Sequence, residues 1–344
     1  MDRSAIRNKT VILSIAVAAF FSGALYGAAI DFYTITGRIK DGSGNQLPYR
    51  VMPPKNFNPN NTTVKYPLIL SLHGAPGRCT DNTSQIGGGE SATWAIDSER
   101  TARPCFVVAP QCPTTMMWVS VPWENVPAPL PAPTWVTTLA LSVIDTMKAK
   151  YPIDTNRIYC VGGSMGGVGA TYFPEFRPNV FAASVAVAAG GDSTSAVVSK
   201  VMFMGWWLFH GAIDNTIPVA GSRTFVLVAR RLLKAAGKDT SNIKYTEYPN
   251  NGHDIWDQSF YNLPMHQWLF QQNRANQSTR IHGSIFRPTL LNSNSASGMQ
   301  LLFPLQSVAI FQMSGDAAPS IYTIAGRKIA PEGGQWEKQL VSAR

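Results

Sequence analysis

The chain has 344 residues, 45% of them hydrophobic and 14% charged, and a formal net charge of +9 at pH 7. That length suits one large domain or a domain with appendages, and the composition excludes a disordered chain. The basic residues are scattered and accompany no nucleic-acid motif, so the charge reads as solvated surface and no nucleic-acid partner is expected.

Residues 1–29 read as a secretory signal peptide. Arg3, Arg7 and Lys9 give a positive start, Val11 to Phe21 an apolar stretch, and Ala24 to Ala29 small residues suited to cleavage. Its loss removes three basic residues and one acidic, leaving +7 (9 − 3 + 1). The expected location is secreted or periplasmic, with no stable membrane insertion after signal cleavage.

Residues 30–52 read as an N-terminal hairpin turning at Asp41-Gly42-Ser43-Gly44-Asn45. From 53 to 274 strands and helices alternate, as one catalytic domain. Strands are expected at Pro67–Leu72, Cys105–Pro110, Arg157–Val161, Ala183–Ala189, Met202–Phe209 and Ile243–Tyr248. Helices are expected at Thr134–Lys150, Ser222–Ala236 and Asn262–Asn273. Strands separated by helices imply an α/β fold with a mostly parallel central sheet and helices on both faces. The proline-rich stretch Cys112–Thr134 interrupts this rhythm after the end of a strand, where long loops tend to be functional. It is expected to form one wall of a substrate cleft. Residues 275–299, which include Asn292-Ser293-Asn294-Ser295, read as a linker by composition. Residues 300–344 are a small tail of short apolar runs.

Four cysteines, Cys79, Cys105, Cys112 and Cys160, fit an oxidising compartment. Four allow three pairings, and spacing does not choose among them. Cys105 and Cys112 flank one extended strand and lie too far apart to bond directly. Cys160 sits inside a strand as a small buried hydrophobe.

The most informative stretch is Gly162-Gly163-Ser164-Met165-Gly166, between an apolar strand and a run of small residues. A Gly-x-Ser-x-Gly turn between strand and helix is a nucleophile elbow, which exposes the serine hydroxyl at a strand's carboxyl end. A serine hydroxyl needs a base and an orienting acid to act. Of the five histidines, His73 and His210 precede glycines at strand ends, His266 lies in a helix and His282 in the tail. His253 follows a strand and the turn Pro249-Asn250-Asn251-Gly252, 89 positions after Ser164, and is the expected base. Asp214 follows another strand between the two and is the expected acid; Asp192 comes a strand too early and Asp254 adjoins the base. The oxyanion donors are expected to be the N–H groups of Met165 and of Ala75, since Pro76 has none. Trp118, Trp123 and Trp256 are expected to contact substrate. No cofactor and no metal are expected.

These segments carry a resemblance. Tyr66–Gly77, Pro104–Pro113, Asn156–Gly167, Phe209–Val219 and Lys244–Trp256 resemble the α/β-hydrolase superfamily. More narrowly, they are similar to secreted esterases of the feruloyl-esterase and polyhydroxybutyrate-depolymerase-like ("predicted peptidase") group. The resemblance spans roughly 45–274. It implies the α/β-hydrolase fold, a Ser164–Asp214–His253 triad and oxyanion donors at Ala75 and Met165. Pro76 stands where such proteins commonly carry glycine. The tail is weakly similar to C-terminal sorting segments of secreted bacterial enzymes. The activity so implied is a serine carboxylesterase working through an acyl-enzyme on an ester substrate, with feruloyl or acetyl esters of plant polysaccharide as candidates. The alternatives are a serine peptidase of prolyl-oligopeptidase type, a polyester depolymerase and, last, a non-catalytic binding homologue.

Overall fold

The computed structural model describes residues 29–61 and 63–277, together with the backbone of four strands between 299 and 329. The signal-peptide reading of residues 1–28 and most of the expected linker lie outside the described residues. The chain divides into two compact units, Met1–Ile285 and Phe286–Arg344.

The first unit is built on one eight-stranded sheet. In chain order its strands are β1 (Ile35–Lys40), β2 (Gln46–Met52), β3 (Tyr66–Leu72), β4 (Phe106–Pro110), β5 (Ile153–Gly163), β6 (Ala183–Val187), β7 (Gly205–Gly211) and β8 (Ile243–Tyr248). The spatial order is β1-β2-β4-β3-β5-β6-β7-β8. β1 and β2 form a hairpin, β2 runs antiparallel to β4, and every pairing from β4 to β8 is parallel. The central strands are buried on both sides, which is why they read as near-continuous apolar runs such as Leu68–Leu72 and Ala183–Val187, broken only by the buried Ser71 and Ser184.

Helices cover both faces. The helices are α1 (Gly89–Ala92), α2 (Asp97–Ala102), α3 (Trp135–Lys150), α4 (Met165–Phe176), α5 (Ser195–Val201), α6 (Ala220–Ala235), α7 (Trp256–Phe260) and α8 (Leu263–Gln271). α3, α4, α5 and α6 pack one core with Leu70, Val108 and Trp206. α1, α7 and α8 pack the other with Ile69, Val107 and Phe209. α3 begins where a reciprocal capping box is formed: Thr137 N–H donates to Thr134 Oγ1, and Thr134 N–H to Thr137 Oγ1. Asn262 caps α8 by accepting from Met265 N–H.

Two boundaries differ from the sequence expectation. The run Met202–Phe209 is split: Met202 caps α5, and the strand starts only at Gly205. Apolarity alone does not separate the last turn of a buried helix from the strand that follows. β5 is also longer than expected, because Ile153–Asn156 extend it at its start, with Ile153 buried and Thr155 exposed.

Glu175, near the end of α4, is a buried acid with neither side-chain oxygen hydrogen bonded to another side chain or to a loop carbonyl. Burial and the neighbouring Asp192 charge hold its carboxyl well above the ordinary value of 4.5, with an N–H of Asp192 partly offsetting them. An acid whose folded value is raised contributes stability that is full below its unfolded value and is lost as pH rises toward the folded one. Glu175→Gln is therefore expected to raise Tm at pH 8 and to leave it nearly unchanged at pH 5. Parallel Tm–pH curves for the two proteins in calorimetry would refute this.

The second unit contains β9 (Met299–Leu305), β10 (Val308–Met313), β11 (Ser320–Thr323) and β12 (Lys328–Ile329). They pair antiparallel in consecutive order as a meander, with a register shift in β10 between Ile310 and Phe311.

Candidate active site

β5 ends in Gly162-Gly163, the chain turns at Ser164, and α4 starts at Met165. Ser164 has φ 55° and ψ −122°, a conformation that costs a non-glycine residue roughly 1–3 kcal/mol and is held by its surroundings. Its N–H donates to Val187 O at 2.9 Å, and its carbonyl accepts from Val168 N–H at 2.9 Å. The turn is closed so tightly that a Cβ at Gly166 would lie 1.8 Å from Leu72 O, and one at Gly162 2.2 Å from Gly166 O. Glycine at these two positions is a packing requirement.

Loops after β7 and β8 bring two further groups to this turn. His253 Nδ1 lies 2.7 Å from Asp214 Oδ2, and Nε2 lies 2.8 Å from Ser164 Oγ. An ionised carboxylate only accepts, so Nδ1–H donates to it and the bare Nε2 receives the Ser164 hydroxyl. Asp214 Oδ1 accepts from Thr216 N–H at 2.8 Å and Ile217 N–H at 3.0 Å. Burial alone would raise the Asp214 carboxyl. Hydrogen bonds from His210 and His253 and from the Ile217 and Thr216 N–H groups outweigh it and hold the acid well below the usual carboxylate range.

Beside Ser164 lies the loop after β3. A Cβ built on Gly74 would stand 3.7 Å from Ser164 Cβ. Ala75 opens a 3₁₀ turn over Ala75–Gly77, and Met165 is the first residue of α4. The first N–H of a helix has no acceptor within it, so both residues present a donor outward. The loop is pinned by His73, whose Nε2 accepts from Cys112 N–H at 2.9 Å and whose Nδ1 meets Gly74 O at 2.6 Å. Burial lowers the His73 pKa to about 4, so the ring is neutral. Neutral imidazole fits this arrangement, with Nδ1–H donating and Nε2 accepting.

The structure brings Ser164, Asp214 and His253 together and sets Ala75 and Met165 at the same turn. The three tryptophans separate. Trp256, at the start of α7, sets its ring edge-on to His253 with centroids 5.1 Å apart. Trp123 is half-buried in a 3₁₀ turn and packs on the core. Trp118 is corrected: it is fully buried, donates Nε1–H to His73 O at 3.0 Å, and supports the loop from behind instead of facing substrate. A tryptophan in a loop suits a cleft, but the sequence carries no sign of which way such a ring turns. Asp192 accepts from Leu130 and Thr194 N–H, away from the histidine.

Two contributors were missed. His210, at the end of β7, places Nε2 3.2 Å from Asp214 Oδ2 and Nδ1 2.8 Å from Ser222 Oγ. Its i,i+4 spacing to Asp214 was the available signal. Glu90, buried in α1, receives an N–H of Gly74; burial pushes its carboxyl up to about 7, the Gly74 bond acting against it. Nothing in its local sequence pointed to the site.

The segment Cys112–Thr134 is anchored along α4. Tyr172 OH accepts from Ala128 N–H at 3.2 Å and donates to Ala128 O at 2.6 Å, while Leu130 N–H donates to Asp192 Oδ2 at 2.7 Å. A separate cavity of about 310 Å³ among Phe57, Lys65, Tyr151 and Pro152 lies by the start of β3 and β5, the opposite end of the sheet from Ser164. Among the described residues, no three acidic, histidine or cysteine side chains are grouped to hold a metal ion. No helix there is long and apolar enough to cross a membrane.

Comparison with known proteins places the chain in a family. The Esterase family model, described as "Putative esterase", matches residues 43–282. A crystal structure described as that of a thermostable esterase superposes with a TM-score of 0.63 at 32% identity, covering 71% of this chain and 64% of that one. The bifunctional acetylxylan esterase/xylanase XynS20E of Neocallimastix patriciarum is 33% identical over 162 residues, 43% of this chain and 20% of that protein. The chain thus spans less than two thirds of either relative.

Proposed function

The chain belongs to the Esterase family, and from that premise we propose that it is a secreted serine carboxylic-ester hydrolase. The observation that carries the reading is the unbroken hydrogen-bonded line from Ser164 Oγ through His253 to Asp214. Ser164 attacks the ester carbonyl as its proton passes to His253 Nε2. Asp214 steadies the imidazolium through Nδ1–H. The tetrahedral oxyanion rests on the N–H groups of Ala75 and Met165, at the positive end of α4. His253 returns the proton to the leaving alcohol, and water, deprotonated by the same nitrogen, releases the acid and restores Ser164.

The similarity to an acetylxylan esterase makes acetyl esters on plant polysaccharide the first substrates to test, with feruloyl esters beside them. Trp256, edge-on to His253, supplies an apolar flank for an acyl or sugar group. A panel of p-nitrophenyl acetate, methyl ferulate, acetylated xylan, a polyester and a peptide anilide tests the reading. Ester kcat/KM is expected to exceed that for the anilide of the same acyl group by at least about 10²-fold, around 3 kcal/mol of transition-state discrimination. Faster cleavage of the peptide would assign a peptidase.

A further inference from the structure

Four free thiols stand in the described fold, and their placement resolves a choice that spacing leaves open. Cys105 packs in the core on the face of the sheet covered by α8, and Cys112 in the core on the face covered by α3. Six residues, the five of β4 and Gln111, separate them, so in extended form they stand about 23 Å apart along the chain. Cys160 shares a face with Cys112 but not its place. Leu70 pairs with both Val108 and Cys160, which puts Cys160 two strands from β4 and four residues short of Cys112. That is about 10 Å across the sheet and about 13 Å along it, beyond the ~7 Å limit between bonded cysteines.

Cys79 alone is a neighbour. Its N–H donates to Cys112 O at 3.3 Å. The partnership is a single bond, since Cys112 N–H goes to His73 Nε2, and bond lengths then keep the two Cα atoms within about 7 Å, a span that overlaps the 4.4–6.8 Å window of a disulfide. A second tie runs in parallel, from the Arg78 guanidinium to Thr114 O at 3.2 Å. Cys79 is half-exposed and Cys112 buried, its Sγ set 3.6 Å from Pro113 O.

We propose that Cys79 and Cys112 form a disulfide when the chain is exported, joining the loop that carries Ala75 to the first residues of the Cys112–Thr134 segment. The Cys79 thiolate attacks the disulfide of an oxidised dithiol oxidase, giving a mixed disulfide and one thiol of the oxidase. The Cys112 thiolate then attacks Cys79 Sγ and expels the second. Two thiol protons and two electrons pass to the oxidase, and the Cys79–Cys112 bond remains. Burial pushes the Cys112 thiol up to about 12, so the second step belongs to folding, before that thiol is enclosed. Any benefit to hydrolysis rests on the role given to Ala75; the bond itself does not.

The test is peptide mapping of full-length protein exported to a bacterial periplasm. It is denatured and alkylated with iodoacetamide without reductant, then cut with trypsin and chymotrypsin so that Phe106 separates Cys105 from Cys112. The expected product is a Cys79 peptide joined to a Cys112 peptide, two hydrogens lighter than the free pair, with Cys105 and Cys160 alkylated. Alkylated Cys79 and Cys112, or Cys79 joined to another cysteine, overturns the proposal. Cys79→Ser supplies the second measurement. Dithiothreitol is expected to lower the wild-type Tm by at least about 4 °C and to leave that of the variant unchanged. An equal drop in both overturns the clamp. Neither readout uses activity, so a failed triad and a failed disulfide are told apart.

Discussion

Ser164→Ala is expected to lower kcat on p-nitrophenyl acetate by about 10⁶-fold, the scale on which removing a triad nucleophile costs catalysis. The substitution removes only Oγ. The backbone of residue 164 stays fixed by its bonds to Val187 and Val168, so Tm should hold or rise slightly as a strained, functional residue is simplified. What survives, about 10³-fold over water, would come from the Ala75 and Met165 donors and from binding. Stopped assays and fluorophosphonate labelling check it together: the wild type labels and the variant does not. Wild-type turnover in the variant would place the chemistry elsewhere on the chain.

Asp214→Asn is expected to cost about 10⁴-fold in kcat with little change in KM. The amide keeps the shape of the acid but not its inventory of lone pairs. Its oxygen goes to the Thr216 and Ile217 N–H groups, which leaves the amide nitrogen facing His253 Nδ1. A donor there forces the ring into the opposite tautomer, so Nε2–H confronts the Ser164 hydroxyl and has no lone pair to take its proton. The wild-type carboxyl, held low by four donors, stays ionised through mildly acidic pH. A full kinetic profile checks the split between kcat and KM; an effect confined to KM would deny Asp214 an orienting role.

Much of this site was legible because its chemistry is written in local patterns. The strand, the glycines at 162 and 166 and the serine between them specify a turn whose tightness the structure then shows as a carbonyl 1.8 Å from where a Cβ would be. Asp214 and His253 each follow a strand, and parallel strands deliver their following loops to one edge of the sheet. What stayed hidden depends on contacts between distant segments. Trp118 turns inward because His73 O, 45 positions earlier, needs a donor. Glu90 meets Gly74 across a loop with no pattern of its own. The split of 202–209 into a helix cap and a strand was invisible because every residue on both sides of the break except Gly205 is apolar.

Four hydrogen-bond donors converge on the Asp214 carboxylate, two on each oxygen. In water a carboxylate facing a newly formed imidazolium would have to reorient its solvent shell at every proton transfer. Here the backbone amides and His210 already point at the carboxylate without any ligand. Under the proposed mechanism the reorganisation energy of charge separation would be met once, when the loops after β7 and β8 fold together, and not again at each turnover.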